Sequence, residues 1–261
     1  MNSAKVYLKT VQSNAFKTLI EAMKDVLTDT NIKFDETGMK IIAMDTSQTV
    51  LVHLKLESKN FEMYECKGKL VIGLSMINFF KLIKTMTNND TLELSVMEDN
   101  PNVLNIRYEN GEKNTITKYK LNLIDLKEDE IEIPPAQFSS ILTMPSADFQ
   151  KVCRDMSNLS STIEIKSIGN SLIFSCLGDF ASQETIFGEG SGSLSFTKIS
   201  GDEEIIQGYY NLKHLILFTK CTNLCNSIEL YMRNNYPLVI KFAVGSLGHL
   251  KMALAPKALD A

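Results

Sequence analysis

This 261-residue chain contains no tryptophan and only three histidines, His53, His214 and His249. None of the three has a nucleophile or carboxylate at the spacing of a catalytic motif, so a structural role is the better interpretation for each. The sequence also lacks the Gly-x-x-x-x-Gly-Lys-Ser/Thr loop that holds nucleotide phosphates and the Gly-x-Ser-x-Gly turn that presents a nucleophilic serine. We therefore predict no catalytic residue, no cofactor and no enzymatic activity.

Cysteine is also scarce, with five scattered residues. An odd number at irregular spacing indicates reduced thiols rather than disulfides. Cys221 and Cys225 could share a helix face, but no histidine or further cysteine lies close enough in sequence to complete a zinc signature. We predict no metal site.

Long apolar runs are missing as well. No stretch reaches the roughly 18 apolar residues of a transmembrane helix. Lys5 and Lys9 lie where a signal peptide would need apolar residues. We expect the protein to remain inside the cell, with no membrane partner.

A repeat is the most informative feature that the sequence does contain. An apolar pattern at helical spacing recurs 133 positions later, with Phe16, Leu19, Ile20, Met23 and Val26 matched by Phe149, Val152, Cys153, Met156 and Leu159. Strand-like segments follow both copies, and each half has a second helix. The pattern predicts an α+β fold of two similar domains, each built from two βαβββ units.

The predicted helices cover 16–27, 76–86, 149–159 and 211–221. Ser75, Asp148 and Asn211 occupy N-cap positions, where a side-chain oxygen can accept a first-turn N–H. Predicted strands occupy 5–10, 31–35, 39–45, 49–56, 69–73, 91–96, 103–108, 115–121, 139–144, 162–167, 171–176, 182–187, 204–210, 227–232, 237–242 and 248–253.

An acidic segment with a double proline, Leu126–Pro135, separates the two halves. Proline cannot donate to a sheet ladder, so this segment is predicted to be a surface connector. A plain solvated linker is one interpretation. Ile131 and Ile133 alternate with charges, however, so one apolar side could pack on a domain or a partner. We predict an N-terminal domain 1–122, a connector 123–135 and a C-terminal domain 136–261.

Charge is distributed unevenly. The net charge is −4, yet the four predicted helices carry eight basic and only three acidic residues. Helix surfaces often carry lysines, but the same pattern on four helices favours a basic surface for phosphate groups, without base recognition. The predicted DNA-binding residues are Lys17, Lys24, Lys81, Lys84, Lys151, Arg154, Lys213 and Lys220.

Motifs spread over both halves carry a resemblance to a known family. They are Leu19–Asp25, Met44–Ser47, Ser75–Lys84, Met144–Ser146, Val152–Asp155, Leu217–Thr222, Pro237–Ile240, Gly248–Lys251 and Leu254–Lys257. In these motifs the chain resembles the proliferating cell nuclear antigen family of eukaryotic DNA sliding clamps over nearly its full length. The resemblance implies the DNA clamp fold, in which a homotrimeric ring encloses duplex DNA, with helices lining the lumen and sheets outside.

The resemblance also implies partners and a docking groove. The partners are duplex DNA without sequence preference, DNA polymerase, the clamp loader and other replication or repair proteins with a clamp-binding peptide; the location is the nucleus or a viral replication compartment. By matched position, the groove residues are Met44, Gln48, Leu51, Leu126, Ile131, Ile133, Pro237, Ala253, Ala255 and Pro256.

Two groove positions depart from the family pattern. Gln48 stands where animal members carry histidine, and Ala253 stands where many members carry tyrosine. These departures suggest a divergent lineage, such as a protist or a large DNA virus.

Edge strands near 115–121 and 183–188, with Tyr119 and Ile186, are the predicted subunit interface, because an unpaired strand edge must be paired or protected. The leading hypothesis is thus a homotrimeric processivity factor. The alternative is a subunit of a heterotrimeric checkpoint-type or regulatory clamp.

Overall fold

The computed structural model describes residues 3–127, 131–199 and 204–257. The chain forms two compact units. The first comprises the described residues of Met1–Thr46, Val52–Ile131 and Ala243–Leu250, and the second those of Ser47–Leu51, Glu132–Phe242 and Lys251–Ala261. The predicted connector 123–135 includes residues 128–130, which lie outside the described residues. The boundaries of the three predicted segments stay a prediction.

Four repeated strand–helix–strand groups account for the described chain, as the sequence predicted. The first group contains β1 (Ala4–Thr10), α1 (Ser13–Met23), β2 (Asp29–Asp35), β3 (Gly38–Met44), β4 (Val50–Glu57) and a short β5 (Met63–Cys66). The second contains β6 (Leu70–Ser75), α2 (Met76–Ile83), β7 (Asp90–Met97), β8 (Asn100–Asn110) and β9 (Thr115–Asn122).

The second half repeats this order. The third group contains β10 (Ser140–Pro145), α3 (Ser146–Ser157), β11 (Thr162–Ile168), β12 (Ser171–Leu177), β13 (Ser182–Gly188) and a short β14 (Ser195–Lys198). The fourth contains β15 (Ile206–Asn211), α4 (Leu212–Thr219), a 3-10 turn at Lys220–Leu224, β16 (Ser227–Met232), β17 (Leu238–Val244) and β18 (Gly248–Leu254). The strands β5 and β14 were not predicted, and they occupy equivalent places in the two halves.

Strand pairing repeats too. In the first unit the neighbour orders are β5-β1-β7-β8-β9 and β4-β3-β2-β6, and in the second they are β14-β10-β16-β17-β18 and β13-β12-β11-β15. In both units the first strand pairs with its short partner, β1 with β5 and β10 with β14, and all these pairings are antiparallel. This repetition confirms the two similar α+β halves.

Helices cover the apolar faces of the sheets. In the first unit α1 packs against α2, and the buried rings of Phe16 and Phe79 meet edge to face at 6.2 Å. In the second unit Phe149 of α3 packs against Phe174 of β12 with ring centres 6.3 Å apart. No helix in the described chain is long and apolar enough to cross a membrane.

Two of the three predicted N-caps are correct. The side chain of Ser75 accepts from Asn78 N, and that of Asn211 accepts from Lys213 N. The prediction for Asp148 is wrong, because α3 begins at Ser146 and Asp148 lies within its first turn. A carboxylate there still stabilises the positive end of the helix dipole.

The start of the connector is held against the outer edge of β6. Ile124 N donates to Gly73 O at 2.8 Å, and Asn31 on neighbouring β2 donates from Nδ2 to Lys127 O at 3.2 Å. A Cβ at position 73 would clash with Ile124 O and stand 2.9 Å from Leu126 Cγ. Glycine is therefore needed here for a close backbone approach.

Gly73→Ala should displace the connector start or strain β6. We expect the free energy of unfolding to fall by about 1–3 kcal/mol, the usual cost of forcing extra volume into a close contact. Thermal and urea denaturation at one fixed protein concentration provide the measurement. Gly111→Ala is the control, since a Cβ there meets nothing within 4 Å. Equal stability of the two variants would contradict this role of Gly73.

Candidate functional site

Six of the eight predicted DNA-binding residues are exposed. They are Lys81, Lys84, Lys151, Arg154, Lys213 and Lys220. Within the described ranges, the side chains of Lys84, Lys151, Arg154 and Lys213 take part in no hydrogen bond or ion pair, whereas Lys81 Nζ lies 3.5 Å from Asn78 Oδ1. The side chains of Lys84, Lys151, Arg154 and Lys213 can therefore reach toward an anion without breaking an internal contact.

Lys17 and Lys24 differ from the others because internal contacts hold them. Lys17 Nζ donates to Met86 O at 2.6 Å, which ties α1 to the residues just after α2. Lys24 Nζ lies 2.9 Å from Asp25 Oδ1 and 5.1 Å from the ring centre of Phe80. Both are partly buried, so their first role in the structure is to join the two helices of the first unit.

Three of the basic residues lie where helices end. Lys24, Lys84 and Lys220 are the C-caps of α1, α2 and α4. A cation at a helix C-terminus offsets the partial negative charge of the unpaired carbonyl groups, an effect of about 0.3–1 kcal/mol at the surface. Each of these lysines therefore has a structural reason to be there in addition to any contact with DNA.

The first unit contains three of the predicted groove residues. Met44 ends β3 and is exposed, while Leu126 and Ile131 are half-buried in the connector. Leu126 packs over Gly73, the close approach described above. Neither Gly73 nor Asn31, which position this segment, was predicted from the sequence, because only the three-dimensional pairing of β2 and β6 reveals their contact with the connector.

The second unit contains the other seven. Gln48 occupies a turn with a positive φ of 54°, and Leu51 follows in β4. Ala255 N donates to Thr49 O at 3.0 Å, which brings the Gln48–Leu51 segment beside Ala253, Ala255 and Pro256. Ile133 is exposed, and Pro237 is half-buried directly before β17. The structure thus gathers five of these residues on one side of the second unit.

Both predicted interface strands lie at sheet edges. β9 follows β8 at the end of its sheet order, and β13 follows β12. Leu123 N donates to Asn102 O, just beyond the β8–β9 ladder. Hydrogen-bonded pairs alternate along an antiparallel ladder. In the β8–β9 register this alternation turns the N–H of Tyr119 inward, toward Ile106, and the N–H groups of Lys118 and Lys120 outward.

The N–H of Ile186 points the opposite way, out of its sheet. Glu189 N donates to Asn170 O and Gly178 N donates to Ala181 O, one bond at each end of the β12–β13 ladder. With the register between them, Thr185 and Phe187 point their N–H groups toward β12, and Ile186 points its N–H outward. The N–H of Ile186 is therefore available for backbone pairing, whereas the N–H of Tyr119 is not.

No cluster in the described residues has the composition of a metal site: no three His, Cys, Asp or Glu side chains gather closely enough to hold an ion. All five cysteines lie in the described ranges, and none of them forms a disulfide bond. Burial raises the pKa of the Cys153 and Cys221 thiols, so both stay protonated and poorly nucleophilic.

Comparison with known proteins identifies the family. The model of the proliferating cell nuclear antigen N-terminal domain matches residues 6–131, and that of the C-terminal domain matches residues 132–257. A probable DNA polymerase sliding clamp 1 of Paramecium bursaria Chlorella virus 1 is 34% identical over 254 residues, covering 96% of both chains. The proliferating cell nuclear antigen of Chaetomium thermophilum is 30% identical over 260 residues, covering 95% of this chain and 96% of the relative.

These matches confirm the resemblance carried by the motifs and the clamp fold predicted from it. The two family domains follow one another along the chain, as the two halves of the repeat do. The chain belongs to the proliferating cell nuclear antigen family of DNA sliding clamps.

Proposed function

We propose that this protein is a homotrimeric sliding clamp that encircles duplex DNA and holds DNA polymerase and other replication or repair proteins there. The observation that carries the proposal is the match of both clamp domains over residues 6–257. The protein acts as a scaffold and performs no chemical step itself. Its place of action is the nucleus or a viral replication compartment.

The two edge strands support a ring. A contact between different surfaces of identical copies closes into a ring when the rotation between copies allows it. β9 presents an isoleucine, Ile116, and two lysines on its exposed side, while β13 presents Ile186 and Glu184. Ile116 is 52% and Ile186 is 59% exposed. The exposed sides of β9 and β13 thus each carry an isoleucine, and their charged side chains have opposite sign.

Ile186→Pro should convert the trimer into monomers. Proline removes the outward N–H of β13 but spares the inward N–H groups that bond β12. Sedimentation velocity at micromolar concentration measures the change, and Ile186→Thr, which keeps both the N–H and a β-branched side chain, is the control. A trimeric proline variant would contradict β13 as the interface, and a purely monomeric wild type would favour the heterotrimeric alternative.

The exposed cations on the helices support a phosphate-facing surface. Opposite charges in water attract weakly and are screened within about 8–10 Å at ordinary salt concentrations. Nothing on these helix faces reads base edges, so contact would be to the phosphate backbone and independent of sequence. Weak contact of this kind permits sliding, because no single ion pair holds the ring in one place.

Lys151→Glu combined with Lys213→Glu should impair processive synthesis and leave the trimer intact. Both side chains are exposed and make no internal polar contact, so the change acts on DNA rather than on folding. Product length with a primed template should fall by about tenfold at low salt, and the ratio to wild type should shrink at physiological salt, where the charges are screened. Lys69→Glu, an exposed lysine outside the helices, is the control. Normal product lengths at both salt concentrations would refute the assignment.

The connector and the second-unit residues support a docking site for client peptides. A clamp raises the effective concentration of its clients on DNA, so its docking affinity must be modest enough for exchange. The family resemblance implies a peptide with a glutamine, an aliphatic residue and two aromatics. Burial of each large side chain contributes roughly 1.5–3 kcal/mol before ordering costs, consistent with micromolar affinity.

Ile133→Ser and Leu51→Ser should each weaken binding of a fluorescent peptide of this type by about tenfold, since each removes apolar area from the site. Fluorescence anisotropy on the full chain gives the affinity. Ile205→Ser, at an exposed isoleucine outside the predicted groove, is the matched control. Unchanged affinity in both test variants would move the docking site elsewhere.

A further inference from the structure

An open cavity of about 410 Å³ lies on the first unit, on the face of the five-stranded sheet that the helices leave uncovered. Its lining comes from β1, β7, β8 and β9, and it includes none of the predicted DNA-binding or groove residues. Its volume falls within the range of about 300–1,000 Å³ that is common for ligand sites. Nothing in the proposed clamp function accounts for it.

Strand register gives the cavity its shape. Tyr7 on β1 lies opposite Ser95 on β7. Ser95 in turn lies opposite Asn105 on β8, and Asn105 lies opposite Lys120 on β9. Two small side chains thus form a floor between a ring and a lysine. Because neighbouring strands are about 4.8 Å apart, Tyr7 and Lys120 stand roughly 14 Å from each other.

The adjacent row of residues is charged but balanced. Glu93 lies 3.4 Å from Lys9 Nζ and 2.8 Å from Arg107 Nη1, and Arg107 Nη2 donates to Glu109. Two cations and two carboxylates therefore compensate one another. Burial, and after it the Glu93 carboxylate, raises the pKa of Tyr7, so this phenol stays protonated.

Lys118 and Lys120 remain uncompensated. Both are exposed, and within the described ranges neither side chain takes part in a hydrogen bond or ion pair. They are two positions apart in one strand, so their side chains leave the same face roughly 7 Å apart and can approach one anion together. Glu65 lies opposite Tyr7 on the other side. The cavity is thus positive at β9 and negative beyond Tyr7.

We propose that this cavity receives a phosphorylated tyrosine side chain of a partner protein. Its ring packs against Tyr7 above Ser95 and Asn105, and its phosphate bonds the ammonium groups of Lys118 and Lys120. A tyrosine ring carries its phosphate far enough from the main chain to extend from this floor to β9. The phosphate of a phosphoserine stays close to its own backbone and does not span that distance. A doubly charged phosphate also matches two lysines better than a single carboxylate does.

A mononucleotide also combines a planar ring with a phosphate. Nucleotide phosphates are typically held by backbone N–H groups at a helix N-terminus or in a glycine-rich loop. The residues that line this cavity lie on strands, where N–H groups point along the plane of the sheet and not into the cavity. A peptide, in contrast, can continue with its main chain over the open face of the sheet. The geometry therefore favours a phosphorylated peptide.

The cavity belongs to one unit of one chain, so the proposal goes beyond the clamp function and does not require the ring. In the proposed ring the outward N–H groups of Lys118 and Lys120 pair with a neighbouring copy, while their side chains stand on the face of the sheet. A single carboxylate from β13 of that copy compensates at most one of the two lysines. The site thus keeps positive charge in either oligomeric state.

The test uses three fluorescent peptides of one otherwise neutral sequence, with phosphotyrosine, tyrosine or phosphoserine at the centre. Fluorescence anisotropy with the full chain at low salt should give a Kd for the phosphotyrosine peptide about tenfold below those of the other two. Lys118→Gln with Lys120→Gln should raise that Kd by about tenfold. Lys69→Gln with Lys113→Gln is the control, since it removes two exposed positive charges outside the cavity.

A second variant separates placement in the cavity from simple charge attraction. Ser95→Phe fills the floor and keeps both lysines, so it should also raise the Kd of the phosphotyrosine peptide by about tenfold. Phenyl phosphate should displace the peptide, whereas adenosine monophosphate should not. Should Ser95→Phe fail to fold, the lysine pair still decides the outcome, because both side chains are exposed.

Four results overturn the inference: no saturable binding of the phosphotyrosine peptide below millimolar concentrations, equal affinity for the phosphotyrosine and tyrosine peptides, equal losses in the two double-lysine variants, or displacement by adenosine monophosphate as effective as that by phenyl phosphate. The last of these would assign the cavity to a nucleotide. A monomeric wild type would refute the ring and leave this test unaffected, so the two proposals fail separately.

Discussion

The alternation of buried and open residues along the strands is the constraint on which the rest of the structure depends. In β10, β11 and β12 every second residue is buried. In the part of the chain that the structure describes, these buried side chains fill the face of each sheet that the helices cover. The candidate sites therefore lie on three kinds of surface: the outer sides of helices, the edges of sheets and the exposed faces of strands.

That restriction explains why single residues serve structure and function together. A lysine at a helix C-cap offsets the helix dipole whether or not DNA is near, and Lys84 and Lys220 are also exposed enough to meet phosphates. Lys17 and Lys24 are exceptions to this double use, because their contacts with Met86 O, Asp25 and Phe80 hold two helices together. A basic residue on a helix is therefore not always available to contact a phosphate group.

The helices, the repeat and the family could be predicted from the sequence because each is recorded in local spacing or in contiguous motifs. Predictions from local sequence failed where a contact with a segment far away in sequence determines the structure. α1 begins at Ser13, before Phe16, and its N-cap Gln12 makes no side-chain cap; the Gln12 side chain bonds Ser246 instead, a residue far away in sequence. β5 and β14 carry little apolar alternation and exist as strands through their pairing with β1 and β10.

The candidate site also combines features that local sequence predicts with features that depend on contacts between distant segments. Ile131 and Ile133 were predicted from alternation within the connector, but the dependence of Leu126 on Gly73 follows from a contact between segments far apart in sequence. The inward N–H of Tyr119 and the outward N–H of Ile186 follow from ladder register, which a single strand does not reveal. The rings of Phe138, Tyr231 and Tyr236 are far apart in sequence and come into contact only through the pairing of β10, β16 and β17.

In the proposed ring, retention on DNA must come from closure rather than from attraction. A chain with a net charge of −4 is repelled by DNA as a whole, and exposed lysines give only screened, exchangeable contacts. The strength must then lie at the subunit edges, where each backbone hydrogen bond contributes about 0.5–1.5 kcal/mol and burial of an isoleucine about 1.5–3 kcal/mol. A few such bonds, with Ile116 and Ile186 buried, are enough to hold a ring closed while leaving it open to a loader that separates one edge. In this proposal tight closure and weak contact with DNA are complementary demands, and they fall to different parts of the chain, closure to the exposed edge strands and DNA contact to the exposed lysines.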